Sequence, residues 1–173
     1  PLCPPPPHGD SPVLTDPERL QTRIATIWRP GYANNPVAVY SNRLSDATDS
    51  PLLQPGDTIL VSCGYGVDQN NDPVLLTFGD QEAWPIRIKP GITIKEYING
   101  TYNAPAVIAA PLSNLPLPGD PLILFIDYGG VGWNAADPTS QLIGVDLIGG
   151  DIGALVKSEN GSAVVAVVED VSF

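Results

Sequence analysis

The stretch "PIRIKPGITIKEYI" (85–98) shows the pattern that decides the fold. Two short segments, 85–88 and 92–98, flank the turn "KPG", and in the second segment apolar and polar residues alternate cleanly. Alternation with a period of two is typical of a β-strand that buries one face, and a Pro-Gly pair marks a turn. This local pattern predicts a β-hairpin at 85–98.

Similar short apolar segments recur along the chain, with Gly, Pro or Asn between them. They cover 23–28, 37–40, 57–63, 73–78, 105–110, 121–127, 141–148, 153–157 and 162–171. We interpret the last two, joined through "SENG", as a terminal hairpin. Many short strands with turn residues between them predict an all-β fold, an antiparallel β-sandwich or jelly-roll-like domain.

The first residues differ from the rest, because "PLCPPPPHGD" (1–10) favours an extended polyproline II conformation. The sequence predicts two parts, an extended proline-rich N-terminal arm at 1–15 and a single β-sandwich domain at 16–173. We expect the arm to bind a neighbouring subunit, since such a segment loses little entropy on docking. The contact residues expected in the arm are Leu2, Cys3, Pro4, Pro5, Pro6, Pro7, Val13 and Leu14.

The charge balance restricts the partners of the protein. The chain has 8 Lys and Arg against 19 Asp and Glu, a net charge of −11, and Lys157 is the only basic residue between Ile98 and Phe173. Binding to nucleic acid needs clustered Lys and Arg, so we expect neither a nucleic acid nor an anionic membrane surface as partner. No apolar run approaches the length of about 20 residues that a membrane span requires.

The histidine content bears on catalysis. His8, the only histidine, lies in the arm. A nucleophile paired with a histidine base, or a histidine metal site, therefore has no partner inside the domain. We expect no catalytic residues and predict that the protein is not an enzyme.

The segment "DYGGVGWNAADPTS" (127–140) could hold a ligand. Asp127, Asn134 and Asp137 offer the oxygen ligands that Ca²⁺ prefers, and Trp133 offers a ring on which a sugar could stack. The simpler interpretation is a glycine-rich loop in which the acidic residues cap turns. No other cofactor is expected.

Two phrases of the sequence resemble a known family. "QPGDTILVSCGYG" (54–66) and "LILFIDYGGVGWN" (122–134) stand in the order and at the distance found in bacterial galactophilic lectins of the PA-IL type. The resemblance implies a calcium-assisted carbohydrate-binding module, with Asp127, Asn134 and the carbonyl of Tyr65 as ligands. It departs from the family where "NAAD" replaces an adjacent pair of asparagines.

Taken together, these features favour a non-enzymatic virion structural protein. The most specific hypothesis is a capsid decoration (cement) protein of a tailed bacteriophage, which forms a homo-oligomer, expected to be a trimer. Its partners would be the major capsid protein or neighbouring copies of itself, and its location the virion. Proline at residue 1 favours a cytoplasmic start after removal of an initiator methionine; the alternative is a mature chain from which a signal peptide was cut. The other hypotheses are the extracellular lectin-like module and a filament subunit.

Overall fold

The computed structural model describes residues 23–32, 35–67, 69–97 and 106–173, and this part is mostly strand with few helical residues. Its helix, α1, is Leu44–Thr48. The strands are β1 (Ile24–Trp28), β2 (Ala38–Ser41), β3 (Thr58–Ser62), β4 (Gly64–Val67), β5 (Pro73–Leu76), β6 (Ile86–Ile88), β7 (Thr93–Glu96), β8 (Ala106–Ala109), β9 (Pro121–Ile126), β10 (Thr139–Ile143), β11 (Val145–Ile148), β12 (Ile152–Lys157) and β13 (Val165–Glu169).

The largest sheet contradicts the predicted antiparallel sandwich. Its order is β13-β10-β7-β3-β1-β2, and only β1 pairs in an antiparallel way, with β2 and with β3. The strands β3, β7, β10 and β13 are parallel to one another. Parallel neighbours joined by crossovers also occur in Rossmann-like sheets, but here the crossovers consist of further strands rather than helices.

These crossovers wind the chain into a coil with three parallel ladders. The first ladder is β3-β7-β10-β13 and the third is β6-β9-β12. The second contains β8 and β11, and Phe78 adds a parallel bridge to Ile108 of β8. Coil 1 contains β3, Phe78 and β6, coil 2 contains β7, β8 and β9, coil 3 contains β10, β11 and β12, and β13 begins a fourth. Stacked coils of this kind define a parallel β-helix.

The core lies between the three ladders. Each ladder supplies fully buried side chains to a single apolar cluster, for example Ile94 from the first, Ile108 from the second and Phe125 from the third. The strand β9, "PLILFI", is buried at all six positions. A strand with neighbours on both edges and cover on both faces reads as a continuous apolar run.

The predicted hairpins are corners of the coil instead. The strands β6 and β7 flank "KPG" but belong to different ladders, and the same is true of β12 and β13 on either side of "SENG". The predicted strand 141–148 is divided at Gly144, whose φ is +71°. A Cβ at Gly144 would lie 3.1 Å from the Cβ of Glu96, so the corner between β10 and β11 requires glycine.

An antiparallel hairpin forms from β4 and β5, of which the sequence predicted only the second strand, within 73–78. The strands β4 and β5 pair with each other between β3 and Phe78, and they take part in none of the three ladders. The hairpin is therefore an excursion from coil 1.

Candidate interaction surface

The predicted arm lies outside the described residues. Its proposed contact residues, Leu2 to Pro7 together with Val13 and Leu14, all belong to the segment 1–22. Their role in binding a neighbouring subunit stays a prediction.

Asp127 lies at the corner that follows β9, and it organises the equivalent corner one coil later, at 158–162 after β12. Its carboxylate accepts hydrogen bonds from the hydroxyl of Ser158 at 2.7 Å and from the backbone N–H groups of Glu159 at 2.7 Å, Asn160 at 3.0 Å and Ser162 at 2.9 Å. Partial desolvation raises the pKa of Asp127, but these hydrogen bonds outweigh it and lower the pKa well below its ordinary value. Asp127 thereby fixes the segment between β12 and β13.

Asp137 and Asn134 lie on the segment that leads into β10. The carboxylate of Asp137 accepts a hydrogen bond from the backbone N–H of Thr139 at 2.9 Å, and this bond lowers the pKa of Asp137. The side chain of Asn134 is exposed. Asp137 therefore caps the start of β10, in the way that the simpler interpretation of this loop predicts.

Trp133 packs onto the body of the protein. Its indole N–H donates a hydrogen bond to the carbonyl of Pro90 at 3.0 Å, and the ring packs closely over Gly129, where a Cβ would lie 2.0 Å from a ring atom. The ammonium nitrogen of Lys89 lies 5.3 Å from the ring centroid. These contacts anchor the 127–137 loop to the corner between β6 and β7.

Two of the predicted calcium ligands, Asp127 and Asp137, thus accept hydrogen bonds from backbone groups of different segments. Asp127 holds 158–162, whereas Asp137 holds the first residue of β10. Within the described ranges, no three His, Cys, Asp or Glu side chains are grouped so that they could hold a metal ion. The calcium interpretation stays a prediction.

The first end of the coil is closed by α1. This helix packs against β6 and against β1 to β3, and its side chains Leu44 and Ala47 are completely buried. The carboxylate of Glu82, only 5% exposed, accepts the backbone N–H groups of Leu44 at 2.5 Å and of Ser45 at 2.8 Å. Burial raises the pKa of Glu82, although these hydrogen bonds oppose the shift. A residue from coil 1 therefore caps the helix that closes coil 1.

An ion pair fixes the strands at the same end. The Nε and Nη2 atoms of Arg29, just after β1, each donate to a carboxylate oxygen of Asp57 at 2.9 Å. Asp57 directly precedes β3, is 1% exposed and also accepts the N–H of Gln54. The hydrogen bond with Asp57 raises the pKa of Arg29. Two-point pairs of this kind hold geometry well, so the edge of coil 1 is tied to the β1–β2 hairpin.

The opposite end of the coil is open. In the third ladder Val156 stacks on Phe125, and in the first ladder Val168 stacks on Leu142. Phe125 and Leu142 are fully buried, whereas Val156 is 51% and Val168 42% exposed. Both valines point inward like the residues on which they stack, but the described residues place no further coil above them.

Other apolar side chains extend this exposed region. Phe173 is 78% exposed and lies beside Gly153, where a Cβ would come within 2.4 Å of the ring. The carbonyl of Ser172 accepts a hydrogen bond from the N–H of Leu147, so the last residues run along β11. We call this region the open end and define it by Leu155, Val156, Val165, Val168 and Phe173.

A second apolar area lies on the loop before β9. Leu115 to Pro118 line a groove of about 290 Å³ together with Gly150 and Asp151. Leu117 is 73% exposed, and Leu112 nearby in sequence is 94% exposed. The loop therefore presents apolar side chains beside the corner between β11 and β12.

The open end was not identified from the sequence, although a signal for it exists. In "SAVVAVVEDV" (162–171) residues of both parities are apolar, which is typical of a strand with cover on both faces. The turn residues "SENG", from which a terminal hairpin was predicted, concealed this feature.

Comparisons with protein families, curated proteins and solved structures found no match for this chain. Within the described residues, no helix is long and apolar enough to cross a membrane. The fold is that of a short β-helix. The function is therefore inferred from the exposed side chains themselves.

Proposed function

We propose that the protein is a structural subunit of a virion, a capsid decoration protein of a tailed bacteriophage, which binds neighbouring subunits through its open end and its N-terminal arm. The observation that carries this proposal is the exposure of the inward side chains of the last coils, Val156 and Val168. Its partners are neighbouring copies of the chain, in an oligomer expected to be a trimer, and the major capsid protein.

The difference between the two ends supports an assembly role. Solenoid proteins need terminal units with a polar outer face to stay soluble. Here α1 closes one end, whereas the other presents valines and the outer strands β12 and β13. Exposed apolar side chains beside an outer strand are a template for pairing with another chain. The net charge of −11 keeps the remaining surface soluble during assembly.

The test uses virions produced from the genome that encodes the chain. Quantitative mass spectrometry of purified particles is expected to find the chain at a fixed ratio to the major capsid protein. Particles that lack the chain are expected to open at a lower temperature, and adding the purified protein should restore their stability. Absence of the chain from the particles, or unchanged stability without it, would overturn the proposal.

A matched pair of variants connects this test to the open end. Val168→Asp places a charge among the exposed inward residues, whereas Leu112→Asp places the same charge on the loop between β8 and β9, which is not part of the open end as defined above. The first variant is expected to bind particles more weakly than the wild type and the second to bind equally well. Equal binding of both variants would show that the open end is not the attachment surface.

A further inference from the structure

We infer that the open end binds a second copy of the chain, whose strand β2 lies parallel to β13, so that the copies join head to tail. This inference rests on the proposed function and names the partner and its orientation. It replaces the expected trimer by an open stack, because a head-to-tail contact along one axis does not close into a ring. Three observations carry it: the direction of the strands, the parity of their side chains and the charges beside them.

The strand directions permit the contact. Among the described strands, β2 and β13 are the two outer strands of the six-stranded sheet. β2 is antiparallel to β1, β1 is antiparallel to β3, and β3 is parallel to the rest of the first ladder. β2 therefore runs in the same direction as β13. A second copy displaced along the coil axis presents β2 in the orientation that continues the ladder.

On both strands, the even-numbered side chains point towards the core. On β2, Ala38 and Tyr40 pack against the core, whereas Val39 is 55% exposed. On β13, Ala166 and Val168 point inward, because their register partners Ser140 and Leu142 are fully buried.

Aligning 38–41 of one copy with 166–169 of another keeps every inward side chain inward. Tyr40 then covers Val168, and Val39 lies beside Val167. Val168 is thereby covered by the next strand, in the same way that Val168 itself covers Leu142 on β10.

The charges favour this contact over a symmetric one. In the same register Glu169 lies beside Ser41, and Arg43 follows close to Asp170. The Arg43 side chain is 38% exposed, lies 3.4 Å from Asp46 and has a buried Nε without a hydrogen-bond partner in the described part of the chain. A twofold contact between two β13 strands would instead bring Glu169 and Asp170 of both copies into one interface, where like charges repel.

Disulfide cross-linking tests the contact directly. We use the background Cys3→Ser, with Val39→Cys in one preparation and Val167→Cys in another. Adjacent strands are about 4.8 Å apart, within the range of Cα separations that a disulfide spans. Cross-linked dimers are expected when the two preparations are mixed under oxidising conditions, and in neither preparation alone.

The other results contradict the inference. Cross-linking of Val167→Cys with itself would show a twofold contact between β13 strands, and absence of cross-links in the mixture would show that β2 does not reach β13. Mixing Val39→Cys with Leu112→Cys is the control for random collision, since Leu112 is 94% exposed and lies on the loop between β8 and β9, which belong to other sheets than β13. Equal cross-linking in that control would also overturn the inference.

A charge exchange tests the register. Arg43→Glu is expected to weaken self-association by about two- to fivefold in sedimentation experiments, as for an exposed ion pair, and combination with Glu169→Arg is expected to restore it. Circular dichroism checks that each variant is folded. Independent effects of the two substitutions would contradict the proposed register. A chain that is present on virions but forms no head-to-tail cross-links would overturn this inference alone and leave the proposed function standing.

Discussion

Both ends of the coil are built from the same parallel strands, but one end is covered and the other is exposed. At the first end Leu44 of α1 is fully buried, Glu82 satisfies the helix N–H groups, and Arg29 ties β1 to Asp57. At the other end Val168 occupies an equally inward position and is 42% exposed. In a stack of coils each coil covers the previous one, so the last coil must be covered by something else. Within the described residues, the chain covers only its first end, with α1.

The largest effect is expected from removing the buried carboxylate at the closed end. Glu82→Ala leaves the N–H groups of Leu44 and Ser45 without their acceptor, and each buried unsatisfied donor costs about 1–3 kcal/mol. The free energy of unfolding, measured by urea denaturation, should fall by the sum of these costs. A loss below about 1 kcal/mol would mean that Glu82 does not hold the closed end.

The control for this prediction is Glu82→Gln, which keeps one acceptor oxygen and removes the charge. Because the pKa of Glu82 is raised in the folded state, the folded protein binds a proton more readily than the unfolded chain. The stability of the wild type should therefore fall as the pH rises from the ordinary value of 4.5 through the raised pKa. Glu82→Gln should lack this decrease.

The second prediction compares the two ends with equivalent truncations. Leu44→Ala removes a fully buried side chain and is expected to lower the free energy of unfolding by about 2–5 kcal/mol. Val168→Ala at the open end should lower the free energy of unfolding, measured in dilute solution, by less than about 1 kcal/mol, since the side chain is already half exposed. Equal losses in urea titrations would show that both ends are closed.

The third prediction concerns the corner that leads to the open end. Asp127→Asn removes the carboxylate that holds the backbone of 158–162. Because the folded state lowers the pKa of Asp127, its contribution to stability is complete above the ordinary value of 3.8 and is lost as the pH falls below it. The variant should therefore lose less stability than the wild type as the pH falls below 3.8.

Asp137→Asn is the matched control, because Asp137 accepts a single backbone hydrogen bond. It should change the pH dependence less than Asp127→Asn does. Hydrogen exchange at Glu159, Asn160 and Ser162 gives a local readout. Unchanged exchange rates at these amides in Asp127→Asn would contradict the assigned role.

The smallest effect is expected from calcium. A cation at Asp127 would have to compete with the N–H and O–H groups that its oxygens already accept. We therefore expect the melting temperature to stay unchanged when CaCl₂ is added to the purified protein. A lectin-like site would instead add about 2.7 kcal/mol of stability at a hundredfold excess over Kd, and such a gain would favour the carbohydrate-binding alternative.

Most of the strands could be predicted from the sequence, although β4 was missed and the predicted strand 141–148 is two strands, but the partners of the strands could not. The predicted segment 121–127 corresponds to β9 at Pro121–Ile126, and the predicted segment 85–88 corresponds to β6 at Ile86–Ile88. Alternation and turn residues depend on local chemistry, so they mark where a strand begins and ends. Whether the chain folds back or turns a corner depends on partners one coil away, such as Ile123 beside Ile86. A single sequence carries no signal for such pairing.

The candidate surface was harder to predict for the same reason. Val156 and Val168 are ordinary strand residues in the sequence, and only the stack shows that they point inward at its end. The helix α1 was missed because its N–H groups are satisfied by Glu82, 38 residues away in the chain, rather than by a capping side chain of its own. The sequence marked Asp127 as a possible calcium ligand, but the hydrogen-bond donors that its carboxylate binds come from the next coil.

The stacking of coils also determines how the molecule should respond to mechanical force. A pull on the end of the chain at Phe173 first loads the hydrogen bond between Ser172 and Leu147. It then loads β13, which is hydrogen-bonded only to β10 among the described strands. Each ladder bond lies between neighbouring coils, so β13 can peel away before coil 3 is disturbed, and coil 3 before coil 2. The part that resists longest is the end where α1, Glu82 and the pair of Arg29 with Asp57 join separate segments of the chain. Attachment through the open end would therefore hold the weakest strand, β13, within the contact to the neighbouring subunit.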